Sequence, residues 1–205
     1  VIIATHLFGY PMDVEALQDI VEKAESRFEH KIYVVQDCAH SYGARWRGRL
    51  VSTYGDAAIF GSNISKVINS IFGGMVITRN KELFLKLLEW RKLNTRKSSF
   101  TKPIRRVAYL IAVYIAFQSK VYGFVNWMER KGLLDRFVKY YAEGIIKFPM
   151  DWDQAPIAVE ARVGLVQLQK YDDIIERRAK MAKEYLAELG ASDEAFVAAH
   201  VEGAT

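Results

Sequence analysis

Four short apolar runs, each bounded by polar or glycine-bearing loops, stand out in the first part of the chain. The runs are Val1–Thr5, Ile32–Val35, Ala57–Phe60 and Met75–Thr78. Runs of this length, rich in β-branched residues, predict buried strands. Between the first two, apolar residues recur at helical spacing from Val14 to Ala24, and Asp13 suits the N-cap of that helix. The pattern predicts a β-α-β unit with a right-handed crossover.

Three residues with reactive or ligand-binding side chains follow the predicted strands. Asp37 comes just after the second run, Lys66 just after the third, and His6 just after the first. The carboxyl ends of parallel strands meet at one edge of a sheet, where α/β proteins bind ligands. Each residue also has an ordinary interpretation: an aspartate that caps the next turn, a solvated lysine, and a histidine that holds loop backbone. These residues alone do not name a chemistry.

Composition and charge restrict the possible classes of protein only loosely. The chain has 205 residues, of which 51% are hydrophobic and 26% charged, as in an ordinary globular protein. A net charge of +5 favours anionic partners without deciding between phosphate esters and a membrane surface. Cys38 is the only cysteine, which excludes an intrachain disulfide, and no signal-peptide pattern opens the chain. We expect a cytoplasmic location and no nucleic-acid partner, because no reading helix or aromatic RNA-binding signature is present.

A basic segment followed by two apolar segments marks the middle of the chain. Residues 91–106 contain seven basic and no acidic side chains; Val107–Phe117 is apolar, and Val121–Leu134 is apolar and aromatic. The apolar segments are too short for a confident membrane span and predict a helical pair. Residues 91–134 have three interpretations: peripheral docking on an anionic membrane, cover for a dimer interface or substrate channel, and packing on the protein's own core.

An ordered set of short motifs carries a family resemblance. The motifs are Asp37–Gly43 (DCAHSYG), Arg47-Gly48, Gly55–Ala58 (GDAA), Phe60–Lys66 and Gly73–Thr78 (GGMVIT). In this order they resemble the DegT/DnrJ/StrS family of sugar aminotransferases, which are fold-type-I enzymes dependent on pyridoxal phosphate (PLP). The resemblance covers Val1 to about Asn94. It resumes over Trp152–Leu189, a stretch that predicts one long helix, with or without a bend.

The resemblance implies an α/β fold, with the mostly parallel, helix-flanked sheet of the fold-type-I PLP-transferase large domain. Residues 1–96 would form part of that domain, and residues 97–150 an inserted or expanded helical segment. Residues 151–205 would form the connecting helix and the start of a truncated C-terminal small domain. Family members carry a further N-terminal segment, so we expect this chain to be a fragment.

The resemblance also assigns roles at the expected site. Lys66 would bind the cofactor covalently and later carry a proton between substrate and cofactor atoms. Asp37 would pair with the pyridine nitrogen, which keeps the ring protonated and able to withdraw electrons. His40 would support the ring, and Ser62 and Asn63 would contact the cofactor phosphate or the substrate. No metal is implied.

The implied reaction moves an amino group from Glu or Gln to a keto group of a nucleotide-linked sugar. Such a reaction serves cell-surface polysaccharide or related amino-sugar biosynthesis, and the family works as a homodimer. Three positions depart from the family pattern: Gly61 stands in place of a serine, Ile71-Phe72 in place of Gly-Glu, and Trp152–Pro156 in place of Tyr-Asn-Tyr-Arg-Met. These departures leave a second interpretation open. In it, the chain is a degenerate relative that has kept the scaffold but lost catalysis, and it acts as a binding or structural protein, either with or without membrane association.

Overall fold

The computed structural model describes residues 1–134, 141–142, 145–146, 151–189 and 202–204. The strands are β1 (Ile2–Thr5), β2 (Val34–Asp37), β3 (Arg45–Trp46), β4 (Arg49–Leu50), β5 (Ala57–Gly61), β6 (Gly74–Ile77), β7 (Tyr141–Ala142) and β8 (Ile145–Ile146). The helices are α1 (Val14–Phe28), α2 (Lys81–Asn94), α3 (Lys102–Ala116), α4 (Ser119–Arg130), α5 (Ala158–Gln169) and α6 (Tyr171–Leu189). The chain divides into two compact units: the first comprises Val1–Glu89 with Arg162–Thr205, and the second Trp90–Ala161.

A four-stranded sheet in the order β1-β2-β5-β6 forms the centre of the first unit. Strands β1, β2 and β5 are parallel, and β6 runs antiparallel to β5. Helix α1 makes the crossover between β1 and β2, so the predicted β-α-β unit is confirmed. Asp13 is its N-cap, since Asp13 Oδ1 accepts a hydrogen bond from the N–H of Ala16 at 2.9 Å. Val14 and Val21 are the buried residues of this helix.

The segment between β2 and β5 forms a small hairpin that completes the core of the first unit. Strands β3 and β4 pair across Arg47 and Gly48, whose φ values are +47° and +80°. Positive φ at both central residues is typical of a type I′ turn, which suits the twist of a hairpin. Trp46 is only 3% exposed. The buried core consists of Val14, Cys38, Ala44, Trp46, Val51, Tyr54, Ala58, Phe60 and Ala204.

The helix predicted over Trp152–Leu189 begins later and is divided in two. Pro156 disfavours helical backbone at the residue before it, so the helix starts at Ala158. At the division, the N–H of Lys170 bonds to the carbonyl of Gln167, three residues back instead of four. Residues 190–201 and 205 of the predicted C-terminal segment lie outside the described residues.

The second unit contains the predicted helical pair, α3 and α4. Within the described ranges no single helix is long and apolar enough to cross a membrane. Helices α3 and α4, bent by 103° at their junction, meet that criterion of length and composition only when taken together. The remainder of the predicted inserted segment falls largely on residues 135–140, 143–144 and 147–150, which are outside the described residues.

A buried charged cluster fixes the first turns of α3 to the segment that leads into α5. Glu160 is 5% exposed and accepts a hydrogen bond from Arg106 Nε at 2.7 Å. Arg106 Nη2 also reaches Asp151 at 2.8 Å. Lys102, 3% exposed, donates to the carbonyl of Ala155 at 3.0 Å, and its Nζ lies 3.8 Å from Glu160 Oε2. Every charge in this cluster has a partner, as burial requires.

Candidate active site

The candidate site lies at the carboxyl edge of two neighbouring parallel strands. Asp37 is the last residue of β2, and Gly61 is the last residue of β5. The two strands are directly paired, with Asp37 opposite Ile59. Lys66 belongs to the loop that follows β5, where its N–H bonds to the carbonyl of Asn63 at 3.0 Å. Asp37 and Lys66 therefore come to the same edge of the sheet, as the sequence pattern predicted.

The packing around Gly61 shows where the lysine side chain lies. A Cβ atom at position 61 would stand 3.3 Å from Lys66 Cε and 3.5 Å from Ala39 Cβ. Contacts of 3.0–3.4 Å are tighter than almost all real Cβ contacts, so the lysine side chain occupies space that a larger residue would need. The side chain of Lys66 therefore lies over the end of β5, on the side that Ala39 also approaches. A side chain at position 61 would touch it.

Only one oxygen of the half-buried Asp37 carboxylate accepts a hydrogen bond from the described residues. Its Oδ1 accepts a hydrogen bond from the N–H of Ala39 at 3.0 Å, which caps the turn after β2. Its other oxygen has no hydrogen-bond partner among the residues that the structure describes. The turn-capping role and an acceptor role toward a ligand are therefore compatible in one side chain, since an ionised carboxylate can accept several hydrogen bonds.

Ser62 and Asn63 lie in the loop between β5 and β6, and their main contacts are within that loop. The N–H of Ser62 donates to the carbonyl of Gly73 at 2.9 Å, and its own carbonyl accepts from the N–H of Ser70 at 2.8 Å. Asn63 Oδ1 accepts hydrogen bonds from the N–H and the hydroxyl of Ser65, at 3.2 and 2.7 Å. The Ser62 hydroxyl and the Asn63 amide N–H groups are free of such contacts in the described part of the chain. Both are donors of the kind that bind a phosphate oxygen.

The two histidines near this edge differ sharply in environment. His40 is exposed, and its ring meets the ring of Phe8 edge to face at 6.3 Å between centroids. His6 is fully buried: its Nδ1 accepts from the N–H of Met12 at 3.1 Å, so Nε2 carries the proton and donates to Gln36 Oε1 at 2.9 Å. Burial lowers the pKa of His6, although Gln36 and Asp37 act in the opposite direction. Of its two interpretations, the structure supports the histidine that holds loop backbone.

Two contacts that support the site have no signal in the sequence. The Ser41 hydroxyl donates to the carbonyl of His6 at 2.8 Å, which joins the loops that follow β1 and β2. Asn69 Nδ2 bonds to Gln167 Oε1 at 3.3 Å, which joins the loop after Lys66 to α5. These partners are 35 and 98 residues apart in sequence, and no local pattern predicts such pairs.

Cys38 lies beside the site but is not available for chemistry. It is 1% exposed and belongs to the core of the first unit. Burial, with a smaller contribution from the charge of Asp37, raises the pKa of its thiol to about 12. Cys38 therefore serves as a small buried apolar residue.

The mostly parallel sheet, flanked by helices, places this chain in the α/β class with the fold of type-I PLP transferases. The solved structure of the sugar aminotransferase CalS13 from Micromonospora echinospora has the same fold, with a TM-score of 0.66 and 20% identity. The match covers 100% of this chain and 45% of CalS13. The Spr1654 protein of Streptococcus pneumoniae, solved in its PLP form, matches with a TM-score of 0.60 and 18% identity. That match covers 98% of this chain and 44% of the S. pneumoniae chain.

Family membership follows from the sequence comparison. The model of the DegT/DnrJ/EryC1/StrS aminotransferase family matches residues 1–110, and the chain belongs to this family. The GDP-perosamine synthase of Escherichia coli O157:H7 is 28% identical over 184 residues, which are 90% of this chain and 37% of that protein. The chain thus spans less than half the length of each of these relatives.

Proposed function

We propose that this chain is part of a PLP-dependent aminotransferase that moves an amino group from Glu or Gln to a keto group of a nucleotide-linked sugar. The observation that carries the proposal is the position of Lys66, whose side chain crosses Gly61 at the edge of the sheet that also holds Asp37. Family membership supports the reaction type. The relative named GDP-perosamine synthase supports a nucleotide-linked sugar as the substrate. The proposed setting is cell-surface polysaccharide or related amino-sugar biosynthesis in the cytoplasm, by a homodimer.

The donors and acceptors at this edge fit PLP. Lys66 offers an amine to the aldehyde carbon of the cofactor, and the second oxygen of Asp37 can accept a hydrogen bond from the pyridine N–H. The Ser62 hydroxyl and the Asn63 amide can donate to the phosphate, and exposed His40 lies in the loop directly after Asp37. When bound, the cofactor supplies a ring that withdraws electrons from the Cα of the amino donor.

The residues of this chain have two chemical tasks in the proposed reaction. Asp37 would favour the protonated ring nitrogen, because an ionised acceptor favours the charged form of its partner. Lys66 would hold the cofactor, and its Nζ, when free, would accept the proton from the Cα of the amino donor and later release it. One lysine could do both because its side chain is long and flexible.

We also propose the domain assignment that the resemblance implies. Residues 1–96 belong to the PLP-binding large domain, residues 97–150 are an insertion or expansion, and residues 151–205 lead into a C-terminal small domain. The described helices α3 and α4 fall inside the proposed insertion.

A second candidate is a scaffold that has lost catalysis, and one observation favours it. Ile71 is 0% exposed and has a φ of +73°, a conformation that β-branched residues rarely adopt. It stands where the resemblance expects a Gly-Glu pair, so an apolar side chain fills the loop that follows Lys66. In this case the protein would act as a binding or structural partner.

Cofactor titration of the full-length protein separates the two candidates. We expect PLP to develop the visible absorbance of a lysine-bound cofactor, and Lys66→Ala to abolish it. The matched control is Lys81→Ala, an exposed lysine at the start of α2, which should leave the absorbance unchanged. A second assay measures transfer of labelled nitrogen from glutamine to a nucleotide-linked keto sugar. Cofactor absorbance without transfer would favour the scaffold, and no absorbance in the full-length wild type would contradict the aminotransferase.

A further inference from the structure

Helices α3 and α4 present a broad apolar face that is exposed along both helices. We call this surface the hairpin face; it comprises Ile104, Val107, Ile111, Tyr114, Ile115, Phe117, Tyr122, Phe124 and Trp127. The exposed fractions of these side chains run from 42% to 71%. A surface helix of a globular protein normally turns polar residues outward. Large exposed apolar surfaces on a protein mark interaction sites.

The hairpin face lies in a strongly basic part of the chain. Residues 90–134 contain ten basic side chains and a single acidic one, Glu129. Three of the cations, Arg96, Lys102 and Arg106, are held by carboxylates. The others are exposed and have no ion pair within the described ranges: Arg91, Lys92, Lys97, Arg105, Lys120, Arg130 and Lys131. Residues 90–134 therefore combine exposed apolar and aromatic side chains with seven cations that have no ion pair in the described part of the chain.

We propose that the hairpin face docks this protein on an anionic lipid bilayer. The apolar side chains enter the boundary between headgroups and acyl chains, and exposed cations of residues 90–134 bind lipid phosphates. Charge decides against a second copy of this chain as the occupant. In a two-fold symmetric dimer the same patch meets itself, so two positively charged segments would be brought together. An anionic surface neutralises them instead.

The geometry of the pair favours a position in the plane of the bilayer surface. Helix α3 has 15 residues, which is roughly 22 Å at 1.5 Å per residue, shorter than the hydrocarbon core. The bend of 103° to α4 keeps the two helices from acting as one continuous rod. Aromatic pairs lie on α4 and its junction with α3, with Phe117 stacked on Tyr122 and Phe124 on Trp127. Tyrosine and tryptophan are the residues that prefer the headgroup level.

Vesicle co-sedimentation of the full-length protein tests the proposal. The probes are vesicles of phosphatidylcholine alone and of phosphatidylcholine with phosphatidylglycerol. We expect sedimentation with the anionic vesicles only, and its loss at high salt, because salt screens the attraction. The double variant Lys120→Gln/Arg130→Gln should partition roughly 30-fold more weakly, since each basic residue near the surface contributes about fivefold. The control Lys23→Gln/Lys183→Gln makes the same change of net charge on α1 and α6 and should bind as the wild type does.

Apolar variants test the other half of the proposal. Ile111→Ser and Phe124→Ser should each weaken vesicle binding several-fold, whereas Ile20→Ser, at an apolar residue of α1 that is 62% exposed, should not. Lys66→Ala should bind vesicles normally, so failure of this proposal is distinguishable from failure of the proposed aminotransferase. Three outcomes would each overturn the membrane assignment. The first is equal binding to neutral and anionic vesicles, and the second is no binding to either. The third is a dimer that dissociates on Ile111→Ser while vesicle binding is unaffected.

Discussion

Removal of the Glu160 charge provides a quantitative test of the second unit. Glu160 Oε1 accepts a hydrogen bond from Arg106 Nε at 2.7 Å. Glu160 Oε2 accepts a hydrogen bond from the N–H of Ile157 at 3.0 Å, and it lies 3.8 Å from Lys102 Nζ. The side chains of Glu160 and Lys102 are 6% and 4% exposed. Glu160→Gln keeps the shape of the side chain and an oxygen that can accept from Ile157. Among the described residues, it removes the only negative charge that lies near both cations.

The expected loss of stability depends on the partners that Arg106 and Lys102 keep when the Glu160 charge is removed. Loss of one member of a buried ion pair costs about 3–5 kcal/mol, because the remaining charge stays buried without compensation. Here Arg106 keeps Asp151 at 2.8 Å, and Lys102 keeps the carbonyl of Ala155 at 3.0 Å. We therefore expect the lower end of that range, about 3 kcal/mol. With a urea dependence of about 2 kcal/mol/M, the unfolding midpoint of this unit should fall by about 1.5 M.

Tryptophan fluorescence is the suitable assay because three of the four tryptophans belong to the second unit. These are Trp90, Trp127 and Trp152. The control is Asp153→Asn, which breaks an ion pair with Arg96 of similar length, 2.6 Å, but with an arginine side chain that is 65% exposed. Solvent screens that pair, so its loss should move the midpoint far less. Equal midpoints for Glu160→Gln and Asp153→Asn would refute the reasoning.

Three further predictions concern the first unit. Gly43→Ala should lower the midpoint of thermal unfolding much more than Gly48→Ala. Both glycines have φ near +80°, so the backbone cost is shared. A Cβ at position 43 would overlap the Tyr171 hydroxyl oxygen, whereas the space at position 48 is open. An equal effect of the two variants would count against this packing. The pKa of His6 is lowered on folding, so below about pH 6.5 the unfolded chain binds more protons than the folded protein. The free energy of unfolding should therefore fall as the pH falls. His6→Asn should reduce the difference between the unfolding free energies measured by urea titration at pH 5 and pH 7.5, and an unchanged difference would contradict this reasoning. Cys38 has a pKa of about 12 and is 1% exposed, so it should resist iodoacetamide at pH 8 until the protein is unfolded. Rapid alkylation of the native protein would contradict this burial.

The edge that carries the candidate site was predictable because parallel topology fixes it. Apolar runs identify the strands, Asp37 ends one of them, and Lys66 lies in the loop after another. Once these strands are parallel neighbours, the two side chains must emerge at one edge. The N-cap of α1 was predictable for a similar reason, because Asp13 acts on backbone only three residues away.

The burial of individual charges was not predictable. In the sequence, Lys102 and Arg106 belong to one uninterrupted basic segment together with Arg105. In the structure, Lys102 is 3% exposed and Arg106 is partly buried against carboxylates from residues 151–160, whereas Arg105 is exposed. The difference depends on which side of α3 meets that segment, and composition carries no such information. The internal hydrogen bonds of Asn63 escaped prediction because loop conformation, not residue type, decides them.

The central claim is that Lys66 is the residue that binds the cofactor. The most direct measurement is borohydride reduction of the full-length protein mixed with PLP, followed by mass mapping of its peptides, since reduction makes the lysine–cofactor bond permanent. The proposal predicts a pyridoxyl adduct on the peptide that contains Lys66 and none there in Lys66→Ala. Absence of that adduct, or label spread equally over surface lysines such as Lys23, would contradict it.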